Sequence, residues 1–412
     1  MTSSPPHLFE GYGIELEYMV VRRDSLDILP ITDKVLFHAA GAPTADIDRG
    51  PLGWSNELVL HVIEIKNSGP VDSLGGLAGK FAGEVREINA ILDPMEGCLL
   101  PGGMHPWMDP HRETRLWPHG SRHIYQAYDR IFDCRGHGWS NLQSAHLNLG
   151  FNGDEEFARL HAAVRLILPL LPAIAASSPF VEGRPSGLLD TRLHYYRRNQ
   201  GRIPSITGLT IPERISTRAE YVERIHNPIF RDIAPLDPDN ILRHEWLNSR
   251  GAIARFERSA IEIRLIDIQE CPSADLAVAS AVIGALRCLT GEEWSSRARQ
   301  QEPGEELLLD VLLRCIESGE EAVIDQPSYL ALFSFPGPRA TGSELWTHMA
   351  ESAGRLLAET MPYQEELRRL LRHGTLAGRL LRAAGPDPGR GRLREVYREL
   401  ARCLAHDELF LP

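Results

Sequence analysis

GIELEY at residues 13–18 and AHLNLG at residues 145–150 decide the fold. In each stretch apolar and polar residues alternate, which is the pattern of a β-strand that buries one face. In the first stretch Glu15 and Glu17 alternate with apolar residues, so both carboxylates lie on one face of the strand. Two like charges so close together repel each other unless a cation or water lies between them. An isolated pair of this kind is also compatible with a solvated strand edge. Other segments of the chain are needed to choose between a cation site and a solvated edge.

ELVLHVIEI at residues 57–65 predicts a second strand, because it is rich in β-branched residues. Glu57 and Glu64 are seven positions apart, which puts them on opposite faces of an ideal strand unless a bulge or an end position re-aims one of them. Glu64 lies between two isoleucines in a run that should be buried, where a lone carboxylate is costly without a partner. The stretch supplies two more acidic side chains, but their relation to each other stays open.

Two further strands carry polar groups. His146 and Asn148 share a face of the AHLNLG strand, although a hydrogen-bonded sheet histidine is an alternative explanation. Residues 252–267 predict a hairpin in which Glu262 and Arg264 share a face, with a structural salt bridge as the alternative. Several strands thus deliver acidic or imidazole groups in an apolar setting. Oxygen-rich clusters with one imidazole suit Mg²⁺ or Mn²⁺ better than Zn²⁺.

Apolar residues at intervals of three and four predict helices between these strands. The segments with helical patterns are residues 74–92, 121–134, 155–177 and 273–290. From Glu292 onward the pattern is helical and polar. The sequence therefore predicts an α+β protein with a mainly antiparallel sheet, flanking helices and a helical C-terminal region. We expect a catalytic core over residues 1–290, with residues 291–412 packed on it.

Composition excludes several classes of protein. The 412-residue chain carries 44 basic and 56 acidic residues, and its net charge of −12 disfavours broad nucleic-acid binding. The six cysteines include no Cys-x-x-Cys pair, so neither a zinc ribbon nor a disulfide framework is expected. The first 13 residues lack a basic start followed by an apolar run, and the apolar stretch 166–181 contains three prolines, which favours a buried helix. We expect a cytoplasmic protein with neither a membrane nor a nucleic acid as partner.

Six short stretches occur in one order and together resemble the glutamate–cysteine ligase family, in its bacterial carboxylate–amine ligase branch. They are GIELEY (13–18), NELVLHVIEI (56–65), PGGMHP (101–106), AHLNLG (145–150), ASSPFVEGRPSG (176–187) and IEIRLID (261–267). The resemblance spans roughly residues 10–290. It implies a fold related to the glutamine synthetase catalytic domain, in which an antiparallel sheet curves into a funnel with helices outside.

The resemblance also implies site residues. Arg264 matches an arginine that contacts the nucleotide phosphates and, with Glu262, is expected to be catalytic. Arg192 matches an arginine associated with the carboxylate substrate. Arg197 and Arg198 are expected to help bind the substrate and the nucleotide respectively, with a solvated loop as the alternative. The residues that match the family's metal ligands are Glu15, Glu17, Glu57, Glu64, His146 and Glu262.

The activity that the resemblance implies is amide formation that consumes ATP and depends on Mg²⁺ or Mn²⁺. A side-chain carboxylate, that of glutamate, would be activated as an acyl phosphate and then attacked by the amine of cysteine to give γ-glutamylcysteine. Two alternatives stay open: the same chemistry with another amine, and a non-catalytic homologue that only binds a metabolite. Residues 199–248 match nothing in the family pattern and are expected to shape the acceptor pocket.

Overall fold

The computed structural model describes residues 6–357 and 362–412. Residues 1–5, which begin the stretch expected to lack a secretory signal, lie outside the described residues, as do residues 358–361 of the C-terminal region. Within the described part the chain is an α+β protein, as predicted, with one main sheet and helices around it.

The main sheet is antiparallel throughout and has eight strands within the described residues. Their order across the sheet is β2-β3-β4-β1-β6-β10-β9, and β5 pairs with β1 outside this path. The remaining strands form two short pairs, β7 with β8 and β11 with β12. In chain order the strands are β1 (Tyr12–Arg22), β2 (Asp46–Asp48), β3 (Leu52–Asn56), β4 (Val62–Asn67), β5 (Gly97–Leu100), β6 (Ser144–Gly150), β7 (Phe180–Val181), β8 (Arg184–Pro185), β9 (Ala252–Arg255), β10 (Ala260–Asp267), β11 (Val323–Ile324) and β12 (Ala340–Thr341).

Helices surround this sheet, and the four predicted helical segments are each found in whole or in part. The segment 155–177 stops being α-helical at Ile167, two residues before Pro169, because proline cannot continue the hydrogen-bond ladder. The helices are α1 (Thr32–Ala40), α2 (Leu77–Leu92), α3 (Pro110–Glu113), α4 (Arg122–Phe132), α5 (His137–Ser140), α6 (Gly153–Ile167), α7 (Pro172–Ala175), α8 (Thr191–Tyr196), α9 (Arg218–Tyr221), α10 (Asn227–Ile233), α11 (Pro272–Thr290), α12 (Arg297–Gln300), α13 (Glu305–Ser318), α14 (Pro327–Leu330), α15 (Gly342–Leu356), α16 (Gln364–His373), α17 (Leu376–Ala384) and α18 (Arg390–His406).

Strand β1 lies at the centre of the sheet, and its register brings polar side chains together. Glu17 is opposite Glu64 of β4, and Glu15 is opposite His146 of β6. Residues directly opposite each other in an antiparallel pair point to the same face. These four side chains therefore share one face of the sheet.

The other face of the sheet is apolar and forms the main core together with residues of α2, α6 and α11. Apolar residues of this face alternate along the strands with residues of the polar face, as predicted for half-buried strands. The buried sheet residues of this face include Ile14, Leu16, Ile63, Ile65, Leu147, Leu149, Ile261 and Ile263. Packing against the helices thus fixes which way the carboxylates point.

The predicted strand over residues 57–65 is wrong in its first half. Strand β3 ends at Asn56 and β4 begins at Val62, so residues 57–61 connect the two strands. The connection is held by backbone hydrogen bonds, from Leu60 N to Arg115 O (2.8 Å) and from Trp117 N to Leu58 O (2.9 Å). Because the connection is not a regular strand, the separation of seven residues does not force its first residue away from the polar face.

Farther along β1 the polar face becomes apolar and is covered by the C-terminal helices. Met19 and Val21 follow Glu17 at alternate positions and pack in a second core with Leu393 and Leu400 of α18. The chain after residue 290 is mostly helical, as expected, and the division into two regions at that residue stays a prediction.

One helix, α11, is long and apolar enough to cross a membrane by length and composition, but 89% of its apolar window is buried inside the protein. Its buried apolar residues belong to the main core. The apolar stretch 166–181 is also almost entirely buried, as the end of α6, a 3₁₀ turn, α7 and β7.

Candidate active site

Two cavities meet on the polar face of the sheet. The larger has a volume of about 770 Å³ and the smaller about 270 Å³. Glu17, Glu57, His146 and Arg264 line both of them. The shared wall is therefore made largely of side chains that the sequence analysis predicted for the site.

The first cluster, called here triad A, consists of Glu15, Glu64 and His146. One ligand atom of each lies within 4.8 Å of the others. Nδ1 of His146 is 3.0 Å from Oε2 of Glu15, and Asn148 Nδ2 donates to Oε1 of Glu15 over 3.2 Å. Burial by itself raises the pKa of Glu15, but the hydrogen bond and charge of His146 and the charge of Lys66 lower it to about 2.

The second cluster, triad B, consists of Glu17, Glu57 and Glu64, again with ligand atoms within 4.8 Å of one another. The backbone N–H of Ser144 donates to Oε2 of Glu17 over 2.7 Å, and its hydroxyl donates to the same oxygen over 3.0 Å. Burial raises the pKa of Glu57 well above its usual range, and the negative charges of Glu64 and Glu17 raise it further. Burial and the charge of Glu15 raise the pKa of Glu64 to about 7.

The donor set fits hard divalent cations. Four carboxylates and one imidazole converge, and Glu64 belongs to both triads. Oxygen donors with a single imidazole are the set that Mg²⁺ and Mn²⁺ accept. The raised pKa values of Glu57 and Glu64 show that the protein alone does not compensate this negative charge. Triads A and B could each hold one divalent ion, with Glu64 between them.

Glu262, the sixth predicted ligand, belongs to neither triad. Its Oε2 accepts from Nη1 of Arg255 over 2.8 Å, and its Oε1 lies 3.0 Å from Nε of Arg264. The carboxylate is buried, with 3% of the residue exposed. Two guanidinium groups thus neutralise this carboxylate, as the salt-bridge alternative expects, but it lines the larger cavity together with the other five predicted ligands. Its assignment as a metal ligand stays a prediction.

The larger cavity has cationic side chains beside its carboxylates. Lys66, Arg255, Arg258 and Arg264 line it. Nζ of Lys66 lies 3.0 Å from Oε1 of Glu64, and the nearby carboxylates raise the pKa of this amine although burial lowers it. The sequence analysis missed Lys66 and Arg255. Lys66 follows Glu64 by two positions in a strand, a spacing that could have indicated a shared face, whereas the position of Arg255 depends on the hairpin register.

Of the three other predicted arginines, one lines a cavity of the candidate site and two do not. Arg192 lines the smaller cavity and forms a buried ion pair with Asp267. Arg197 and Arg198 line neither of the two cavities. Arg198 is exposed and bonds the ring of His194 (2.6 Å), as expected of the solvated-loop alternative.

Aromatic side chains form much of the smaller cavity. Tyr125 and Tyr128 come from α4, Trp139 from α5, and Trp246 from a 3₁₀ turn at Glu245–Leu247. The two tyrosines are three residues apart, which places them on one face of their helix and was a signal available in the sequence. Asn199, Gln200 and Trp246 fall within the segment 199–248 that was expected to shape a pocket.

Comparison with known proteins gives one family. The model of glutamate-cysteine ligase family 2 matches residues 12–399. An uncharacterised protein of Archaeoglobus fulgidus is 32% identical over 399 residues, which cover 97% of this chain and 100% of that protein. A protein of Rubrobacter xylanophilus named "Putative glutamate--cysteine ligase 2-3" is 25% identical, over 89% of this chain and 86% of that one. A Bradyrhizobium diazoefficiens protein named "Putative glutamate--cysteine ligase 2" is 26% identical over 68% of this chain, a match that spans only 58% of the relative.

Solved structures agree on the fold. The glutamate–cysteine ligase of Francisella tularensis, solved in complex with AMP, superposes with a TM-score of 0.60 at 14% identity, over 96% of this chain and 88% of that one. A bifunctional glutathione synthetase from Pasteurella multocida superposes with a TM-score of 0.64 at 14% identity, over 97% of this chain and 53% of that longer one. At this level of identity the likeness establishes the architecture alone.

Proposed function

The chain belongs to glutamate–cysteine ligase family 2, and from that membership we propose that it is an ATP- and Mg²⁺-dependent carboxylate–amine ligase that forms an amide through an acyl phosphate. Mn²⁺ is the second metal to test, because it accepts the same ligands. Glutamate and cysteine are the first acid and amine to test, since they are the pair in the family's name.

The observation that carries this proposal is the position of the two triads. They share Glu64, and three of their residues, Glu17, Glu57 and His146, line both the larger cavity, whose lining carries charges of both signs, and the aromatic smaller one. In the proposed complex ATP occupies the larger cavity and the acid and the amine approach from the smaller one. A phosphoryl group would then pass between the substrates at the triads.

Cationic side chains support the assignment of the larger cavity to ATP. Lys66, Arg255 and Arg258 line only this cavity of the two, and they suit the oxygens of a triphosphate. Arg264 lines both cavities and is suited to stabilise charge on the phosphoryl group in transit. Divalent ions, when bound by the triads, would neutralise phosphate oxygens that these side chains do not reach.

The proposed chemistry needs no nucleophile from the protein. A carboxylate oxygen of the acid forms a bond to the γ-phosphorus of ATP, and ADP leaves. The amine nitrogen then forms a bond to the carbonyl carbon, the bond from that carbon to the phosphate oxygen breaks, and phosphate leaves while the amine gives up a proton. The lack of a G-x-S-x-G motif in the chain is in keeping with this scheme.

A hydroxylamine trap tests the proposal without knowledge of the natural amine. The purified protein is incubated with ATP, Mg²⁺, hydroxylamine and an amino acid, and hydroxamate and ADP are measured. We expect Mg²⁺-dependent hydroxamate with glutamate. Glu64→Gln should lower the rate by about 100-fold or more, because it removes a ligand from both triads. Glu223→Gln, the same change at an exposed position outside both cavities, should leave the rate unchanged.

Absence of hydroxamate and ADP with every amino acid that has a side-chain carboxylate would contradict the proposal. That result would favour the non-catalytic alternative, in which the chain only binds a metabolite. A rate that Glu64→Gln leaves intact would show that the triads are not the reaction centre.

A further inference from the structure

Five tyrosine and tryptophan side chains line the smaller cavity. Tyr196 is buried, and the other four, Tyr125, Tyr128, Trp139 and Trp246, are called here the aromatic wall. All four are partly exposed, and all four line this cavity. Large aromatic rings normally bury most of their surface, so a group of four that leaves ring surface open to one cavity is a candidate contact surface for a ligand.

The rings are fixed before any ligand binds. Nε1 of Trp139 donates to the carbonyl oxygen of Asn199 over 3.1 Å, and the hydroxyl of Tyr125 accepts from Nδ2 of Asn56 over 3.0 Å. The Tyr128 ring centroid lies 5.2 Å from that of Trp139 and 6.0 Å from that of Trp246. A wall held in this way binds a ring without the entropic cost of ordering its own side chains.

The apolar lining of this cavity is more extensive than a small thiol can cover. In the proposed complex the acid and the amine share its volume of about 270 Å³, so the lining, and not the size, distinguishes between amines. The aliphatic side chains of Leu58, Val59, Val62 and Leu142 continue the wall. A flat ring gains stacking and burial along this surface, whereas a side chain of one methylene and one sulfur covers little of it.

The charges of the smaller cavity disfavour an acceptor with a carboxylate of its own. Its guanidinium groups belong to Arg192 and Arg264. Arg192 forms an ion pair with Asp267, and Arg264 lies 3.0 Å from Glu262. Arg192 is held by a carboxylate of the protein, and Arg264 is assigned above to the phosphoryl group, so neither guanidinium is left for a second substrate carboxylate beside that of the acid.

We propose that the smaller cavity receives the amine acceptor, and that this acceptor is a primary amine that carries an aromatic ring and no carboxylate. The inference rests on the proposed ligase function, because the amine has to reach an acyl phosphate at the triads. The group transfer is the one described above: the amine nitrogen bonds to the carbonyl carbon and phosphate leaves.

The test separates failure of this inference from failure of the ligase proposal. The hydroxylamine trap first identifies an acid that the protein activates. With that acid, kcat/KM is then measured for 2-phenylethylamine, ethylamine, phenylalanine and cysteine. We expect 2-phenylethylamine to exceed each of the others by about tenfold or more, which corresponds to about 1.4 kcal/mol.

An equal or higher kcat/KM for ethylamine, phenylalanine or cysteine overturns the inference and leaves the ligase proposal intact. No hydroxamate with any acid overturns both. The two results cannot be confused, since hydroxylamine is too small to need the aromatic wall.

A variant locates the preference at the wall. Trp246→Leu should reduce the ratio of kcat/KM for 2-phenylethylamine to that for ethylamine by about tenfold. Tyr195→Leu removes a partly exposed ring that lines neither cavity and should keep the wild-type ratio. If Trp246→Leu fails to fold by circular dichroism, Trp139→Leu serves in its place. An unchanged ratio in a folded variant of either tryptophan overturns the assignment.

Discussion

Glu57 shows how a residue can be poor for stability and suited to a metal site. Lys66 pairs with Glu64 and Asp46, so Glu57 faces mainly the negative charges of Glu64 and Glu17. Burial and these charges raise its pKa well above the usual range, which means that its charged form is unfavourable in the metal-free protein. The molecule tolerates this cost where divalent cations are proposed to bind.

Glu57→Gln should therefore stabilise the metal-free protein and weaken its response to Mg²⁺. At a pH above its ordinary pKa, a buried glutamate of raised pKa costs stability whether it stays charged or takes up a proton, and an uncharged glutamine avoids this cost. We expect the midpoint of thermal unfolding to rise by about 1–2 °C in EDTA. The further rise that saturating Mg²⁺ gives the wild type should become smaller, because ligand binding stabilises by mass action. Differential scanning calorimetry with and without Mg²⁺ measures both effects, and Glu223→Gln is the control. A lower midpoint in EDTA would contradict this account.

At the scale of residues, the sequence predicted which face of a strand a side chain lies on better than it predicted which side chain it pairs with. The spacing of Glu15 and Glu17 was enough to place them on one face, because a strand alternates strictly. Glu262 was equally prominent in its strand, yet its partner Arg255 depends on how β9 and β10 pair. Pairing of this kind is a tertiary property that a single strand does not encode.

Strand β10 and helix α8 are joined by a buried ion pair at Asp267. Its carboxylate accepts from Nε of Arg192, from Ser177 N over 2.9 Å and from Ser178 Oγ over 2.8 Å. Asp267 and Arg192 are at most 1% exposed. A Cβ added at Gly103 would lie 2.5 Å from Oδ2 of Asp267, so only glycine allows this backbone to approach the pair.

Asp267→Ala should destabilise the protein by about 3–5 kcal/mol, because it leaves Arg192 charged, buried and without its partner. Urea unfolding followed by tryptophan fluorescence measures the free energy of unfolding. The double variant Asp267→Ala/Arg192→Met should lose less than the single variant, since no uncompensated buried charge remains. A double variant that is as unstable as the single one, or more so, would show that the hydrogen bonds from the two serines dominate.

The prediction of elements succeeded where one local pattern decided the outcome. Strands β1 and β6 and the β9–β10 hairpin follow from alternation, and α11 follows from a long apolar run. The prediction over residues 57–65 was wrong because backbone groups of Leu58 and Leu60 form hydrogen bonds with the backbone of Arg115 and Trp117 instead of continuing β4. Contacts so far apart in sequence override local propensity.

At the scale of the whole molecule, the C-terminal helices close one end of the polar face. Leu393 and Leu400 of α18 pack on Met19 and Val21, which continue the face that carries Glu17. A second attachment is the buried ion pair between Arg379 of α17 and Glu270, which follows β10. The same arginine also donates to the carbonyl oxygen of Phe410, near the end of the chain.

Leu400→Asp should impair the site although it lies outside both cavities. A charge placed in the second core is costly without a partner, so we expect the thermal midpoint to fall by several degrees. We also expect loss of hydroxamate formation at temperatures where the core begins to loosen. Arg394→Asp introduces the same side chain at an exposed position of α18 and should leave both quantities near wild type. Equal effects of the two substitutions would show that charge, and not packing, is responsible.

The overall architecture was predictable only in part. The antiparallel sheet and the family's fold were expected from six short stretches, and the structure confirms both. The aromatic wall was not predicted, because its residues come from α4, α5 and the turn at Glu245–Leu247, which meet only in the folded chain. The packing of α18 on β1 joins residues such as Met19 and Leu400, which are 381 positions apart, and no periodicity within either element predicts it.

The alternation along β1 also restricts what lengths the strand can have. Insertion or deletion of a single residue between Gly13 and Glu17 would exchange inside and outside for every residue on one side of the change. Ile14 and Leu16 would then face the cavity, and the carboxylates of Glu15 and Glu17 would face the hydrophobic core. A substitution along this strand changes one side chain, but a one-residue shift in its register would disrupt the core and the proposed reaction centre together.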